Sequence, residues 1–264
     1  MARANSAMTG PQPVESVSIV IPVYNELDTW RELLDRVRAA DAAGLTKQIL
    51  LVDDGSTDGT RDQLRRFADA PPDDGIGYRV VFHEHNRGKG AALRTGFKTA
   101  GGDIVIIQDA DLEYDPADYP ALFAPLIAGE ADVVYGSRFA RGRPPGSYLS
   151  NYLANRLLSA LSSWTTGLTT SDMETCYKVF RRDVLRSVRL EQDRFGFEPE
   201  ITARIAAVGV RFAERPIRYA GRSHAEGKKI TWRDGLKAIW CIFKYGLSCR
   251  HRTPNRTQTT DAKS

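Results

Sequence analysis

Residues 104–111 read Ile-Val-Ile-Ile-Gln-Asp-Ala-Asp, so that a short apolar run ends directly in two carboxylates, Asp109 and Asp111. Such a run is typical of a buried strand in a parallel sheet, and α/β enzymes bind their ligands at the carboxyl ends of such strands. Carboxylates are hard oxygen ligands that suit Mg²⁺ or Mn²⁺. An isolated Asp-x-Asp also occurs in solvated turns, so its meaning depends on the rest of the chain.

Strand and helix patterns alternate through the first half of the chain. Short runs rich in β-branched residues predict strands, and apolar residues at helical spacing predict helices. Repeated βα units indicate an α/β fold with a mostly parallel central sheet flanked by helices. The predicted strands are 17–23, 48–52, 78–82, 104–108 and 132–135, and the predicted helices are 26–40, 58–68 and 89–100.

The second half shows a different pattern. A Gly/Pro/Arg-rich loop at 141–146 precedes a long amphipathic helix from Tyr148 to about Trp164, and a helix at 201–208 precedes a strand at 210–219. The final predicted helix, 231–247, is amphipathic, aromatic and basic. It packs as the last helix of the core or lies in a membrane interface, and both interpretations stay open. Its apolar stripe comprises Trp232, Leu236, Ile239, Trp240, Phe243 and Leu247.

Composition predicts an ordinary globular protein. The chain has 264 residues, of which 42% are hydrophobic, and a net charge of +4, so it can bury a substantial core. We expect a disordered lead at 1–15, an α/β domain at 16–222, a basic loop with the amphipathic helix at 223–250, and a disordered tail at 251–264. Three cysteines without metal-ligand spacing predict free thiols. No signal peptide or membrane-spanning run is visible, which predicts a cytoplasmic protein.

Three predicted strand ends bring polar side chains to one edge of the sheet. The first strand ends in Pro-Val-Tyr-Asn-Glu at 22–26, and the second in Asp-Asp-Gly-Ser-Thr-Asp-Gly-Thr at 53–60. Because parallel strands end at the same edge, these segments converge with residues 109–111 on one crevice. Helix capping and a glycine turn account for part of the second motif, but not for Asp53 and Asp54.

With these motifs the chain resembles the family 2 inverting glycosyltransferases of GT-A fold, in the branch that includes dolichyl-phosphate mannose synthases. The resemblance implies a metal-dependent transfer of a hexose from a nucleotide sugar, of GDP-mannose or UDP-glucose type, to a polyprenyl or dolichyl phosphate. It also implies that residues 16–222 form the GT-A domain. The segments that carry the resemblance are 20–26, 52–56, 86–90, 109–112, 136–138 and 172–180.

The resemblance also implies roles for individual residues on the donor side. The implied ligands of the nucleotide sugar are Pro22, Tyr24, Glu26, Asp53, Asp54, Lys89, Asp109, Lys228 and Lys229. The implied ligands of Mg²⁺ or Mn²⁺ are Asp109, Asp111 and Glu113. Mannose synthases of this branch usually carry glutamine where this chain has Glu113, so the donor sugar is left open. Lys89 lies in a glycine-rich turn that either touches a phosphate or simply begins a basic helix.

The acceptor side is matched less completely. The implied acceptor-phosphate ligands are Arg138, Arg141 and Arg143, and the implied catalytic residues are Asp172, Glu200 and Arg222. A lipid monophosphate is already an anion and needs no strong general base, whereas a hydroxyl acceptor requires one, for which Asp172 or Glu200 are candidates. Asp172 could instead have a structural role, as a helix cap or a hydrogen-bonded acid in a loop.

Two alternative functions remain at the level of sequence. A related enzyme could glycosylate a soluble small-molecule or saccharide hydroxyl, and a non-catalytic module could bind nucleotide sugars without turnover. The basic C-terminal region also fits an anionic membrane surface, which predicts a peripheral location on the cytoplasmic membrane face. Nucleic acid is disfavoured as a partner, because clustered carboxylates repel a phosphate backbone.

Overall fold

The computed structural model describes residues 12–143, 148–194, 196–221 and 232–250. Within them the chain forms a sheet of seven strands flanked by helices, which confirms the predicted α/β architecture. The strands are β1 Ser16–Val23, β2 Thr46–Asp53, β3 Gly77–Phe82, β4 Ile104–Ile107, β5 Val133–Ser137, β6 Lys178–Arg181 and β7 Phe212–Pro216. The helices are α1 Trp30–Ala39, α2 Thr60–Asp69, α3 Lys89–Thr99, α4 Tyr119–Ile127, α5 Leu149–Thr166, α6 Arg182–Ser187, α7 Phe197–Val208 and α8 Trp232–Arg250.

The strand order is β3-β2-β1-β4-β6-β5-β7. Strands β1 to β4 are parallel, β6 runs antiparallel between β4 and β5, and β7 is parallel to β5. The amino end of β6 therefore lies at the same edge of the sheet as the carboxyl ends of the other six strands. We call this the carboxyl edge, and every described candidate site residue of the sheet lies at it or in the loops beside it.

Several elements differ from the sequence prediction. β6 was missed because its four residues carry a basic side chain at each end, and Lys178 is nevertheless fully buried. α4 was missed because it contains two prolines, Pro120 in its first turn, where the missing N–H costs nothing, and Pro125 inside it. α7 begins at Phe197, four residues before its predicted start, and α6 was also not predicted.

The core explains how the helices are fixed over the sheet. All four residues of β4 are buried, as expected for a parallel strand covered on both faces. α3 lies close against β1, because a Cβ on Gly96 would come within 2.3 Å of the Val20 side chain. This close approach fixes the start of α3, and with it Lys89, beside the carboxyl edge.

The C-terminal helix α8 packs on α5 and α7 through a face that the sequence analysis did not single out. Its buried residues include Ala238, Cys241, Ile242 and Tyr245. Leu236, Trp240 and Leu247 of the predicted apolar stripe face outward instead. None of the helices within the described ranges is long and apolar enough to cross a membrane. The segments 1–11, 222–231 and 251–264, which hold most of the predicted lead, basic loop and tail, lie outside the described residues, as do residues 144–147 of the Arg141 loop.

Candidate active site

The end of β4 carries Asp109, whose carboxylate is held by a lysine from α3. Lys89 Nζ lies 2.8 Å from Asp109 Oδ2 and 3.6 Å from Glu198 Oε1. Burial alone lowers the pKa of Lys89, but the carboxylates around it, Asp109 first, outweigh burial and hold that pKa well above its usual value. Lys89 is therefore a fixed cation that joins the end of β4 to the first turn of α7.

Asp111 lies in a tight turn beside two further acids. Its Oδ1 accepts a hydrogen bond from the Glu113 amide at 3.2 Å, and Leu112 between them has a positive φ of 62°. Burial, reinforced by the charges of Asp109 and Glu113, raises the pKa of Asp111 to about 7. The ionised form is thus destabilised in the isolated protein, and a divalent cation would relieve this repulsion.

The donor set fits a divalent cation that shares its coordination with a substrate. Within the described ranges, no three His, Cys, Asp or Glu side chains are arranged to hold an ion by themselves. Mg²⁺ at nucleotide sites is held by one or two carboxylates and completed by substrate phosphates and water, so Asp109 and Asp111 suffice. Glu113 faces a second partner, since its Oε2 accepts a hydrogen bond from the Tyr219 hydroxyl at 2.9 Å.

At the end of β2, Asp54 forms hydrogen bonds with the glycine-rich turn. Its Oδ1 accepts from the Arg87 amide at 3.0 Å and lies 2.7 Å from His83 Nδ1, and its Oδ2 accepts from the Gly88 amide at 2.6 Å. Asp54 is only 2% exposed. The turn can approach so closely because a Cβ on Gly55, where φ is +76°, would lie 2.6 Å from the Asn86 amide nitrogen. Asp54 therefore shapes the donor crevice, and its role as a direct donor ligand stays a prediction.

Its neighbour Asp53 is fully buried. Asp53 Oδ1 accepts from the Ser56 amide at 3.2 Å, and Oδ2 accepts from Arg61 Nε at 2.8 Å. Asp53 thus holds the loop that follows β2 and the first turn of α2. As with Asp54, the predicted contact to the nucleotide stays a prediction, and the geometry favours a shaping role.

The end of β1 lies beside β2 and presents the predicted base-binding residues. Pro22 pairs in register with Val52, and Tyr24 follows the strand with 36% of its surface exposed. An exposed aromatic face at this position can stack on a nucleobase. Glu26 Oε2 accepts a hydrogen bond from the Thr29 hydroxyl at 2.6 Å. The structure therefore brings Pro22, Tyr24 and Glu26 to the same edge as Asp109 and Asp111, as predicted.

On the other side of the crevice, two predicted functional residues bind each other. Arg138 Nε and Nη2 each donate to Asp172 at 2.7 Å, and the Arg138 amide donates to the same carboxylate at 2.9 Å. Asp172 is fully buried. A bidentate pair of this kind satisfies both groups, which disfavours Asp172 as a general base and Arg138 as a phosphate ligand. The predicted roles are not otherwise tested, and Arg141 and Arg143 are exposed beyond the end of β5.

Glu200, the other predicted base, is also buried, and its carboxylate oxygens accept hydrogen bonds. Its oxygens accept from the Glu191 amide at 3.0 Å and from the Gln192 amide at 2.7 Å. The loop that it holds packs against the glycine-rich turn, because a Cβ on Gly90 would lie 2.3 Å from the Gln192 carbonyl oxygen. Glu200 therefore supports the turn that carries Lys89. The remaining predicted residues, Arg222, Lys228 and Lys229, lie outside the described residues.

Two residues that the sequence analysis gave no role, Glu174 and Lys178, lie in a buried cluster with Glu198. Glu174 Oε1 is buried without a hydrogen-bond partner, and burial, followed by the charge of Glu198, raises the pKa of Glu174 to about 8. Lys178 Nζ donates to the Met173 carbonyl at 2.9 Å, and burial lowers its pKa. Both residues reach the carboxyl edge because β6 is reversed. No spacing in the sequence indicates that reversal.

Comparison with known proteins identifies the family. The chain matches the model of glycosyl transferase family 2 over residues 18–189. It is 36% identical over 252 residues to an undecaprenyl-phosphate 4-deoxy-4-formamido-L-arabinose transferase of Edwardsiella ictaluri, which covers 94% of this chain and 72% of that protein. It is 30% identical over 226 residues to a dodecaprenyl-phosphate galacturonate synthase of Rhizobium johnstonii, which covers 82% of this chain and 63% of that protein.

A solved structure supports the same fold. Glucosyl-3-phosphoglycerate synthase from Mycobacterium tuberculosis, in complex with Mn²⁺, uridine diphosphate and phosphoglyceric acid, superposes with a TM-score of 0.65 at 23% identity. The superposition covers 88% of this chain and 78% of that chain. Because the family model spans more than half of the chain, the protein belongs to glycosyl transferase family 2 and is a glycosyltransferase of GT-A fold.

Proposed function

We propose that this enzyme transfers a sugar from a nucleotide sugar to a polyprenyl phosphate, with inversion and with the help of a divalent metal ion. The observation that carries the proposal is the position of Asp109, Asp111 and Glu113 together at the end of β4, where burial, reinforced by the charges of Asp109 and Glu113, raises the pKa of Asp111 to about 7. The names of two relatives, which describe transfer to undecaprenyl and dodecaprenyl phosphate, support the acceptor class. We take a hexose donor of GDP-mannose or UDP-glucose type as the first to test.

On the donor side each residue has a physical task. Tyr24 offers a face for the base, and Glu26 offers a carboxylate to a ribose hydroxyl. Lys89 holds the Asp109 carboxylate, and Asp111 with Asp109 would bind Mg²⁺ or Mn²⁺. When bound, such an ion neutralises the charge that develops on the departing nucleoside diphosphate. Asp53 and Asp54 keep the two loops around the crevice in place.

On the acceptor side the predicted bases are occupied, which favours a phosphate acceptor. A phosphate oxygen is anionic and can attack the anomeric carbon directly, while the bond to the diphosphate breaks. A hydroxyl acceptor would need a base with a free lone pair, and both Asp172 and Glu200 are tied up by hydrogen bonds. A phosphate acceptor therefore needs nothing from these two acids beyond their structural contacts.

One observation supports a second candidate function, transfer to a soluble hydroxyl. Glu174 has an oxygen without a hydrogen-bond partner and a pKa raised to about 8, so it could exchange a proton near neutral pH. We rank this candidate second, because that oxygen is buried.

The proposal is tested by incubating the full chain with UDP-glucose, UDP-galacturonate or GDP-mannose, with Mg²⁺ or Mn²⁺, and with a polyprenyl phosphate in detergent. We expect mass spectrometry to detect a glycosylated lipid phosphate with at least one donor, and EDTA to abolish it. Asp111→Asn should reduce turnover by about 10² to 10³-fold, the usual effect of removing a group that stabilises transition-state charge. Asp115→Asn, in the same loop but paired with Arg218, serves as the matched control.

Two results would contradict the proposal. The first is sugar transfer to a soluble hydroxyl acceptor with no lipid product from any donor. The second is tight nucleotide-sugar binding by calorimetry without turnover on either acceptor class, which would make the protein a binding module.

A further inference from the structure

Tyr219, a residue for which the sequence predicted no role, lies beside the acidic turn that follows β4. Its hydroxyl donates a hydrogen bond to Glu113 Oε2 at 2.9 Å. The Glu113 amide in turn donates to Asp111 Oδ1 at 3.2 Å. Tyr219 therefore contacts the candidate cation site through one of the three acids that form it.

Two backbone contacts hold the segment that carries Tyr219 against this turn. Tyr219 pairs with Tyr114 in an antiparallel bridge. The Ala220 amide donates to the Glu113 carbonyl oxygen at 3.0 Å. The chain after β7 thus runs alongside the chain after β4, and this backbone pairing brings the Tyr219 hydroxyl to the Glu113 carboxylate.

The ring of Tyr219 is enclosed on several sides. Arg138 Cζ lies 5.2 Å from its centroid, and the rings of Tyr114 and Tyr219 pack edge to face with centroids 5.4 Å apart. A Cβ on Gly221 would lie 2.9 Å from Tyr219 Cε1, so the backbone passes close over the ring. Because these contacts restrict the side chain to one rotamer, the hydroxyl stays directed at Glu113.

A hydrogen bond of this kind matters for a carboxylate that binds a cation. The second oxygen of such a carboxylate is usually hydrogen-bonded, and this bond fixes the orientation of the ligand. Mg²⁺ demands near-ideal octahedral geometry, and a glutamate side chain loses rotamer freedom when it is ordered at an ion. Asp109 is held by Lys89 Nζ at 2.8 Å, and the Tyr219 hydroxyl gives Glu113 corresponding support.

We propose that Tyr219 is a positioning residue, which orients Glu113 towards a divalent cation shared with Asp109 and Asp111. This inference rests on the proposed function, because it concerns the cation that the transfer requires. The role depends on a single hydroxyl group. A phenylalanine at this position lacks that group but keeps the ring that packs against Arg138 and Tyr114.

The inference is tested with Tyr219→Phe in the full chain. Electron paramagnetic resonance measures the affinity for Mn²⁺ in the presence of uridine diphosphate or guanosine diphosphate, without an acceptor. We expect the affinity to fall about tenfold, the lower end of the effect of removing a partner of a metal ligand. Tyr78→Phe is the matched control, because the Tyr78 hydroxyl donates to Asp74 Oδ2 at 2.8 Å near the amino end of β3. Its Mn²⁺ affinity should equal that of the wild type.

Two further measurements separate positioning from a general structural role. Glu113→Ala leaves no carboxylate to orient, so adding Tyr219→Phe to it should change the Mn²⁺ affinity by less than about twofold. Sugar transfer by Tyr219→Phe should recover at saturating Mn²⁺, since the variant lacks affinity for the ion rather than a catalytic group. A distorted fold would stay less active at every Mn²⁺ concentration.

The outcomes distinguish this inference from the proposed function. Equal Mn²⁺ affinity of Tyr219→Phe and the wild type would overturn the inference and leave the function standing. An equal loss from Tyr219→Phe with and without Glu113→Ala would also overturn it, because Tyr219 would then not act through Glu113. A wild type that binds Mn²⁺ in this Tyr219-dependent way but glycosylates no polyprenyl phosphate would overturn the function alone. A wild type that binds no Mn²⁺ with either diphosphate would overturn the metal dependence, and the inference with it.

Discussion

The two halves of the carboxyl edge are assembled by different kinds of interaction. In the donor half, formed by β1 to β4, carboxylates such as Asp54 accept hydrogen bonds from backbone amides of neighbouring loops. In the acceptor half, formed by β5 to β7, buried side chains bind other side chains far away in sequence, as Arg138 binds Asp172. The donor half thus depends on short motifs that keep loop geometry, whereas the acceptor half depends on long-range charge pairing that no motif reveals.

We expect the largest loss of stability when the Arg138–Asp172 pair of the acceptor half is removed. Arg138→Ala leaves the Asp172 carboxylate buried without its partner, and such a loss costs about 3–5 kcal/mol of unfolding free energy. Urea denaturation followed by circular dichroism measures it. Arg211→Ala is the control, because Arg211 forms a comparable bond to Asp132 at 2.6 Å but is 48% exposed, so its loss should cost less than about 1 kcal/mol. Equal midpoints for the two variants would show that burial does not matter to the pair.

The next effect concerns Lys89, which contacts Asp109 at the end of β4 and Glu198 of α7. Lys89→Met removes the cation between Asp109 and Glu198, so two carboxylates face each other and the diphosphate loses a positive neighbour. We expect kcat/KM for the donor to fall about 100-fold, which corresponds to roughly 2.7 kcal/mol. Steady-state kinetics with separate kcat and KM values measure this. Lys98→Met, an exposed lysine on the same helix, should leave both values unchanged.

The difference between the two halves explains which parts of the sheet and of the site could be predicted from the sequence. The alternation of strands and helices predicted the sheet, and the position of Asp109 after β4 predicted the edge at which it lies. The reversed strand β6 could not be predicted, because its buried Lys178 reads as a polar position and only tertiary packing buries it. The pairing of Arg138 with Asp172 also has no local signal. It depends on β5 and the loop before β6 lying side by side in the folded sheet.

The apolar stripe of α8 shows a different limit. The sequence correctly predicted an amphipathic helix, but periodicity does not say which face packs inward. The structure buries the face with Ala238 and Cys241, because close helix packing at Gly246 and Thr165 needs small residues there. Trp240 and Leu247 are then left outside. The direction of a helix face is set by its neighbours in space, which a single sequence does not contain.

We expect a smaller loss of stability when the hydrogen bonds of Asp54 in the donor half are removed. Asp54→Asn keeps the shape of the side chain but replaces one acceptor oxygen with an amide group that cannot accept. The side chain then loses either the contacts of the Arg87 amide and His83 at Oδ1 or the bond from the Gly88 amide at Oδ2. We expect a loss of about 2 kcal/mol, the scale of charge-assisted hydrogen bonds. Thermal denaturation measures it, and Asp62→Asn, on an aspartate with a 71% exposed side chain, is the control. A loss as large as that of Arg138→Ala would erase the contrast between the two halves.

The last effect concerns the pH dependence of stability in the acceptor half. The pKa of Glu174 is raised from 4.5 to about 8 in the folded protein, so between these values the folded state holds a proton that the unfolded chain has released. The stability that this proton contributes is fully present below pH 4.5 and is lost as the pH rises through 8. Glu174→Gln should therefore flatten the decline in unfolding free energy that this proton release causes between pH 5 and pH 9.

Denaturation of the wild type and of Glu174→Gln across this pH range measures the difference, with Glu191→Gln, on a 48% exposed side chain, as the control. Identical pH profiles for all three proteins would show that Glu174 is ionised at neutral pH. The expected result bears on the acceptor, because a protonated Glu174 presents no negative charge beside the crevice. In the donor half Asp111, with a pKa raised to about 7, can release its proton when a cation binds. In the acceptor half Glu174 stays neutral, which is the condition under which an anionic phosphate can approach.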